Sequence, residues 1–415
     1  MRKTIVYILE YMQTFVKNEI TALEKDGINV KVVMLSAPEK QSEKGWSYIV
    51  GGYENPIQYY ESYNKLKKLF RLINNLIFLL LKANIKNIIC SFVTAFIGAP
   101  SRSLNFYQLR CAIDICRMIK HLQLDHIHTH FAWGNAFIAM YVSKLLGVPF
   151  SVTAHASDIF GLNYSESERL QYLLKNTNKV ITISQFNKDY LINNNLCSEE
   201  KLVVIHCGIF LDRFKFTQYH QHEKVFKIIT LPSGFVESKG FNVLLDALGK
   251  LVKMDKHIEC YVVGTDIDGK RINHYKEEVT HLGIENIVKF IGAVPQNKLI
   301  ELYKECNVFV LPCIKTKNNK MDGLPVSLME AMAVGLPVIS TKLSGIPELI
   351  EHGKNGLLAT PSNTDDLVLQ IIRLMDDSLL SEQFAKSARE KVEKEFNINT
   401  SAKHMINCLN LTSKE

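Results

Sequence analysis

The sequence has no C-x-x-C pair, and its nine cysteines, at 90, 111, 116, 197, 207, 260, 306, 313 and 408, are odd in number and irregularly spaced. That argues against a disulfide framework and against a structural zinc site. Long hydrophobic runs are missing as well. In LFRLINNLIFLLLKANIKNIICSFVTAFIG the apolar stretches are broken by Arg71, Lys82 and Lys86, short of the roughly 20 residues that a spanning helix needs. The N-terminal MRKTIVYILEYMQTF has a basic start, a short apolar run and no small-residue cleavage site. It reads as a first buried strand and not as a signal peptide, so the chain is expected in the cytoplasm. The last absence is of one charge: between Ser62 and Arg110 there is no Asp or Glu, against eight basic residues (Lys65, Lys67, Lys68, Arg71, Lys82, Lys86, Arg102, Arg110).

That segment accounts for the whole net charge of +7. Its cations are interleaved with Leu, Ile and Phe instead of forming a polar stripe, which argues against nucleic acid. A basic, strongly apolar helical pair suits an anionic membrane face; the other reading is a buried hairpin with basic residues at its solvated edges.

At 415 residues, 47% hydrophobic and 22% charged, the chain is long enough for two or three domains with full cores. Short β-branched runs (TIVYIL, NVKVVML, DHIHTH, FSVTA, KVITIS, LVVIHC) alternate with helical patterns closed by glycine, as in FVKNEITALEKDG and NAFIAMYVSKLLG. After the polar stretch DRFKFTQYHQHEK (212 to 224), read as a linker, a second series follows: KIITLP, IECYVVG, NIVKFIGA, VFVLPC, LPVIST. The pattern predicts an α/β chain of two doubly wound parallel-sheet domains, 1 to 211 and 225 to 385, facing a cleft. A C-terminal helix, 386 to 415, is expected to pack back toward the first domain.

The stretch DHIHTHFAWGN raises a metal question, because His126, His128 and His130 share one strand face. Only Asp125 is near in sequence as a supporting carboxylate, so the histidines are read as packed or cleft-lining, with no metal expected. His130 falls at the carboxyl end of the strand. The densest chemistry lies in MDGLPVSLMEAMAVGLPVISTKLSGIPELIEHGKNGLL (321 to 358). Pro325 suits the first turn of a helix to about Val334, with Asp322 in the loop before it. Glu330, among Leu328, Met329, Ala331 and Met332, needs a hydrogen-bonding partner, which a sugar diol would supply. Free amides near Gly345 and Ile346 would make an anion site at the next helix start. In SGFVESKGFNVLL, Lys239 at a strand-to-helix turn would add a cation for a diphosphate.

These motifs, with HTHFAWGNAFIAMYVSKLLGVPFSVTAHASDIF, VITISQFNKDYL, VVIHCGIFLDRF and YMQTFVKNEITALEKDG, resemble the GT-B fold glycosyltransferases of retaining family 4 over nearly the whole chain. The last resembles the start of exopolysaccharide and colanic-acid-type members. The resemblance implies catalytic roles for Asp322, His155 and Lys239. It also implies donor binding by Glu330, Gly234, Gly323, Leu324, Gly345 and Ile346, an acceptor side with His130 and Gly134, and no metal or other cofactor. Asp322 would hold donor-sugar hydroxyls, Glu330 the ribose, and His155 would sit at the sugar. Two positions depart from the family: Asp322 stands where Glu is usual, and Gly234 where Arg is common, which removes a guanidinium from the diphosphate site.

The expected activity is transfer of a hexose, with retention, from a UDP- or GDP-linked sugar to a lipid-linked glycan in bacterial exopolysaccharide, capsule or lipopolysaccharide assembly. The enzyme would be peripheral on the inner face of the cytoplasmic membrane. The rivals are a nucleotide-sugar epimerase or hydrolase of the same fold, and a non-catalytic binding subunit.

Overall fold

The computed structural model describes residues 2–35, 57–58, 70, 73–75, 77–78, 84–98, 100–219, 225–266 and 268–411. The chain divides into two compact units, Met1–His206 with Asn399–Glu415, and Cys207–Ile398. In the first, β1 (Thr4–Leu9), β2 (Asn29–Met34), β3 (Ile57–Gln58), β4 (His126–His130), β5 (Phe150–Ala154), β6 (Lys179–Thr182) and β7 (Leu202–Val204) form one sheet. Its order is β3-β2-β1-β4-β5-β6-β7, and every pairing is parallel. β1, the run TIVYIL, is buried at all six positions, as a strand covered on both faces must be.

The second unit repeats the plan with β8 (Phe226–Thr230), β9 (Ile258–Val263), β10 (Val288–Gly292), β11 (Val308–Val310), β12 (Val338–Thr341) and β13 (Leu357–Ala359), in the order β10-β9-β8-β11-β12-β13. Helix Phe241–Lys253 buries Leu244, Leu245, Leu248 and Leu251 in this unit's core. Both sheets reverse winding direction beside their first strand, between β1 and β4 and between β8 and β11. Outside the carboxyl ends of the strands at such a reversal is where this architecture takes ligands. The edge strand β13 carries no alternation of its own and is not predicted from sequence.

Residues 212 to 219, read above as the start of a linker, are integrated in the second unit: the Thr217 N–H donates to the Val334 carbonyl at 3.0 Å. Ile209 exchanges backbone hydrogen bonds with Phe396 and Ile398, at 3.0 and 3.1 Å, which holds residues 207 to 211 there too. Residues 220 to 224 lie outside the described residues. The expected single C-terminal helix is two, Ser378–Glu395 and Ile398–Cys408. The later one packs on the first unit, where the Tyr7 hydroxyl lies 3.7 Å from the Met405 sulfur.

In the basic insertion, Lys65, Lys67, Lys68, Arg71 and Lys82 lie outside the described residues. Helix Ile85–Ile97 buries Ser91, Thr94 and Ala95 and turns its apolar side outward, with Ile85 and Ile97 each 70% exposed and Ile89 57%. No helix among the described residues is long and apolar enough to cross a membrane.

One glycine is indispensable to the second unit. Gly240 has φ +66°, and a Cβ there would lie 1.9 Å from the Pro312 carbonyl oxygen, so only glycine lets the turn after β8 approach the end of β11. Gly240→Ala is expected to destabilise the protein by at least about 2 kcal/mol, from the left-handed backbone and the clash together. Equilibrium denaturation that leaves the midpoint unmoved would refute the close approach.

Candidate active site

The segments after three neighbouring strands, β8, β11 and β12, carry the predicted residues of the second unit. Lys239 ends a short turn after β8, and Ile314 of the β11 loop donates from its N–H to the Ser238 carbonyl at 2.9 Å. With the Gly240 approach, this stitching brings Lys239 to Asp322. Their charged groups meet at 2.5 Å, with 14% and 22% of the side chains exposed. Burial is the largest influence and opposes the Lys239 ammonium, but Asp322 and Cys313 together hold the lysine above its ordinary pKa. Lys239 is thus a paired, positioned cation and not a solvated loop lysine.

Gly323 and Leu324 are buried between Asp322 and helix Val326–Val334, which Pro325 caps. Glu330 on that helix is half-buried, and burial raises its pKa to about 7 despite the Tyr303 hydroxyl set against it. Tyr303 is itself buried, and its hydroxyl has no partner in full hydrogen-bond geometry. The apolar company of Glu330 therefore includes a polar neighbour from helix Gln296–Glu305 that its own segment does not reveal.

Gly345 begins the four-residue helix Ile346–Leu349. Contrary to the expectation of free amides, the Ile346 N–H donates to the Leu343 carbonyl at 3.1 Å, because the chain turns too tightly there to leave it open. Ser344, with φ +51°, has a buried hydroxyl without a partner among the described residues. Gly234 has φ +66°, and a Cβ there would touch only Val236. The Arg271 guanidinium, from the start of helix Lys270–His281, donates to the Gly234 carbonyl at 2.9 Å. A guanidinium thus lies at the Gly234 turn, supplied by another element.

In the first unit all three histidines of β4 are buried, His130 included at 1% exposure. Register explains why they are tolerated: His128 pairs with Ser151 and His130 with Thr153 of β5. The Ser151 hydroxyl lies 2.7 Å from both His126 Nε2 and His128 Nδ1, and Thr153 Oγ1 lies 3.1 Å from His128 Nε2. Burial lowers the His126 pKa to about 4 and holds those of His128 and His155 well below the imidazole range. His130 continues the series, with Nδ1 3.0 Å from His155 Nε2 and Nε2 2.9 Å from Glu19 Oε1. Glu19 also accepts from the Tyr7 hydroxyl at 2.7 Å.

The supporting carboxylate is therefore Glu19, not Asp125, which instead binds Lys3 and the Thr4 N–H at 2.7 and 2.8 Å. Glu19, His128 and His130 bring ligand-type atoms within 4.8 Å of one another, but their nitrogens are engaged in the hydrogen bonds just described. Asp158 clamps the ends of β4 and β5 by accepting from the Ala132 and His155 N–H groups at 2.8 and 2.9 Å. Burial lifts its pKa to about 6 against those bonds. Phe131, with φ +66°, packs between Trp133 and His155, and a small pocket lined by Glu10, Tyr11, His130 and Trp133 adjoins it. Gly134 opens helix Gly134–Leu146 next door. A larger groove of about 820 Å³, lined by Tyr172, Lys175, Ser198 and Lys201 among others, contains none of the predicted site residues.

Two doubly wound parallel sheets, with a cation and carboxylates at the strand ends of the second, are the GT-B architecture. The sequence model described as Glycosyl transferases group 1 matches residues 212–391, and that of Glycosyltransferase Family 4 residues 91–213. The chain is 30% identical over 280 residues to the amylovoran biosynthesis glycosyltransferase AmsK of Erwinia amylovora, covering 66% of this chain and 67% of AmsK. It is 28% identical over 399 residues, 93% of each chain, to the putative colanic acid biosynthesis glycosyltransferase WcaL of Escherichia coli strain K12. This protein belongs to the group 1 glycosyltransferases of family 4. Among solved structures, a Rickettsia africae glycosyltransferase shares the fold with TM-score 0.72 at 19% identity, covering 100% of both chains. Anabaena Alr3699/HepE in complex with UDP-glucose does so with TM-score 0.70 at 17% identity, covering 99% of this chain and 100% of that one.

Glu330 makes stability depend on pH. Its folded pKa of about 7 lies above the ordinary 4.5, so the folded state holds the proton more tightly than the unfolded one. The contribution is most favourable below about pH 4.5 and is lost as pH rises to about 7, on the order of 1–3 kcal/mol. Glu330→Gln should remove that part of the slope, measured as the wild-type minus variant difference in unfolding free energy at pH 5 and pH 8. A difference that does not change with pH would contradict the buried carboxylate.

Proposed function

We propose that the protein transfers a hexose, with retention, from a nucleoside diphosphate sugar to a lipid-linked glycan during assembly of a bacterial exopolysaccharide, capsule or lipopolysaccharide. The Lys239–Asp322 pair carries this reading. It holds a cation and a sugar-facing carboxylate in one place before any ligand arrives, as transfer of a sugar away from a diphosphate requires. Lys239 and the Gly345 turn receive the diphosphate, with the Ser344 hydroxyl as a further donor. Arg271, on the Gly234 carbonyl, takes over the missing arginine's charge. Glu330 holds the ribose, Asp322 the sugar hydroxyls, and His155 the sugar near the reacting carbon, with His130 and Gly134 toward the acceptor. The leaving diphosphate oxygen takes the acceptor proton on the same face, so neither a dedicated base nor a metal is needed. The names of AmsK and WcaL support an exopolysaccharide context, and UDP-glucose bound to HepE supports a nucleotide-sugar donor.

Transfer is expected to survive EDTA. In calorimetry with UDP- and GDP-hexoses, Lys239→Ala and Arg271→Ala should each weaken donor binding by about 1.5–3 kcal/mol, the range for a charge-assisted hydrogen bond. Gly234→Arg, which returns a guanidinium to this turn at the cost of a side chain at φ +66°, should recover part of the Arg271→Ala loss. Consumption of donor at the full rate without acceptor would favour the epimerase or hydrolase reading.

The same proposal places the enzyme on the inner face of the cytoplasmic membrane. Ile85, Ile89, Phe92, Val93, Phe96 and Ile97 form one outward stripe, with Lys86 and Arg102 beside it and the Arg102 guanidinium over the Phe96 ring at 4.7 Å. An apolar stripe with basic neighbours suits an anionic lipid interface, and its exposure disfavours the buried-hairpin reading. Replacing Ile85, Ile89 and Phe96 by serine should abolish co-sedimentation with anionic vesicles while the variant stays folded. Undiminished binding would remove this surface from the membrane role.

A further inference from the structure

We infer that Glu19, acting through His130, sets the proton position on His155, so that His155 offers substrate the bare nitrogen Nδ1 as a hydrogen-bond acceptor. Glu19 and His130 are positioning residues in this scheme. It rests on the reading that His155 sits at the donor sugar.

An ionised carboxylate can only accept, so Glu19 Oε1, 2.9 Å from His130 Nε2, places the His130 proton on Nε2. Where the His130 ring carries a single proton, it then presents a bare Nδ1 to His155 Nε2 at 3.0 Å. The His155 proton must therefore lie on Nε2. His155 Nδ1 makes no hydrogen bond among the described residues and is the nitrogen left for a ligand. The tautomer of one ring is set by what its other nitrogen meets, here two links away.

The surroundings hold the chain of groups rigid. Tyr7 donates to the same Glu19 oxygen at 2.7 Å and fixes the carboxylate. The Tyr7 ring stacks on His130 at 5.9 Å, and Phe15 and Phe131 flank the His155 ring at 4.8 and 4.5 Å. His155 is also held by its backbone: its N–H donates to Asp158, and its carbonyl accepts from the Asn187 side chain. Burial holds its pKa well below the ordinary imidazole value. A neutral ring with a free lone pair is the form suited to accept from a sugar hydroxyl beside a carbon that gains positive charge. No proton needs to move along the chain; its role is to exclude the other tautomer.

The test is the ¹⁵N spectrum of the ring nitrogens in histidine-labelled full-length protein, with His155 assigned through His155→Gln and the pH set so that the same spectrum shows His130 with one ring proton. Wild type should show a single His155 form protonated on Nε2. Glu19→Met, which removes the acceptor, should give a mixture of tautomers. Glu19→Gln, which retains an oxygen in the same place, should restore the wild-type signature. If His155 carries its proton on Nδ1 in the wild type, the inference is overturned, as it is by a Glu19→Met spectrum identical to wild type. Should Glu19→Met fail to fold, Glu19→Leu takes its place as the variant without an acceptor, and a wild-type form protonated on Nδ1 overturns the inference by itself. Mass spectrometry of lipid-linked glycan in cells carrying each variant tests the underlying reading separately. His155→Ala should lower the product strongly and Glu19→Met about tenfold, with Glu19→Gln near wild type. Full product from His155→Ala would remove the role at the sugar while leaving the tautomer result standing.

Discussion

A polar group inside a parallel sheet is tolerable only if it finds a partner there, because both faces are covered and water cannot reach it. The organisation of both units follows from this constraint. Most strand residues are Ile, Val, Leu and Phe, and the ionisable groups of interest collect where strands end. In the second unit Arg271, Lys239 and Asp322 follow β9, β8 and β11, three neighbours in the sheet, and Glu330 lies on the helix after Asp322. In the first they lie at the ends of β4 and β5, tied together by Asp158.

β4 is the exception that satisfies the constraint by pairing. His126 and His128 lie under the helix layer, and the Ser151 and Thr153 hydroxyls of β5 supply their partners. His130, at the strand end, is held by Glu19 and His155. One row of histidines thus passes from packing groups to site groups within five residues, according to what faces each ring. The nitrogens that make the row look like a metal site are the ones already hydrogen-bonded.

In the second unit, backbone approach and charge act together. Gly240 lets two turns meet closely, the Ile314 to Ser238 hydrogen bond holds them, and Lys239 then pairs with Asp322. Tyr303 and Arg271 come from other elements to meet Glu330 and Gly234, so each departure from an ordinary helix or turn has its counterpart elsewhere.

The alternation of β-branched runs with glycine-closed helices was enough to determine two doubly wound sheets and most of their strands to within a residue or two; local motifs singled out Lys239, Asp322, Glu330 and His130, and the family resemblance added His155. These are local properties: periodicity, turn residues and short motifs are written in adjacent positions. Only the tertiary structure decided that Glu19, 111 positions away, meets His130. The same holds for Arg271 at Gly234, for Tyr303 against Glu330, for the engaged amide of Ile346 and for the outward face of helix Ile85–Ile97. No periodicity encodes those contacts. Each is the pairing of a buried or strand-end polar group with whichever complementary group the folding of a distant segment delivers.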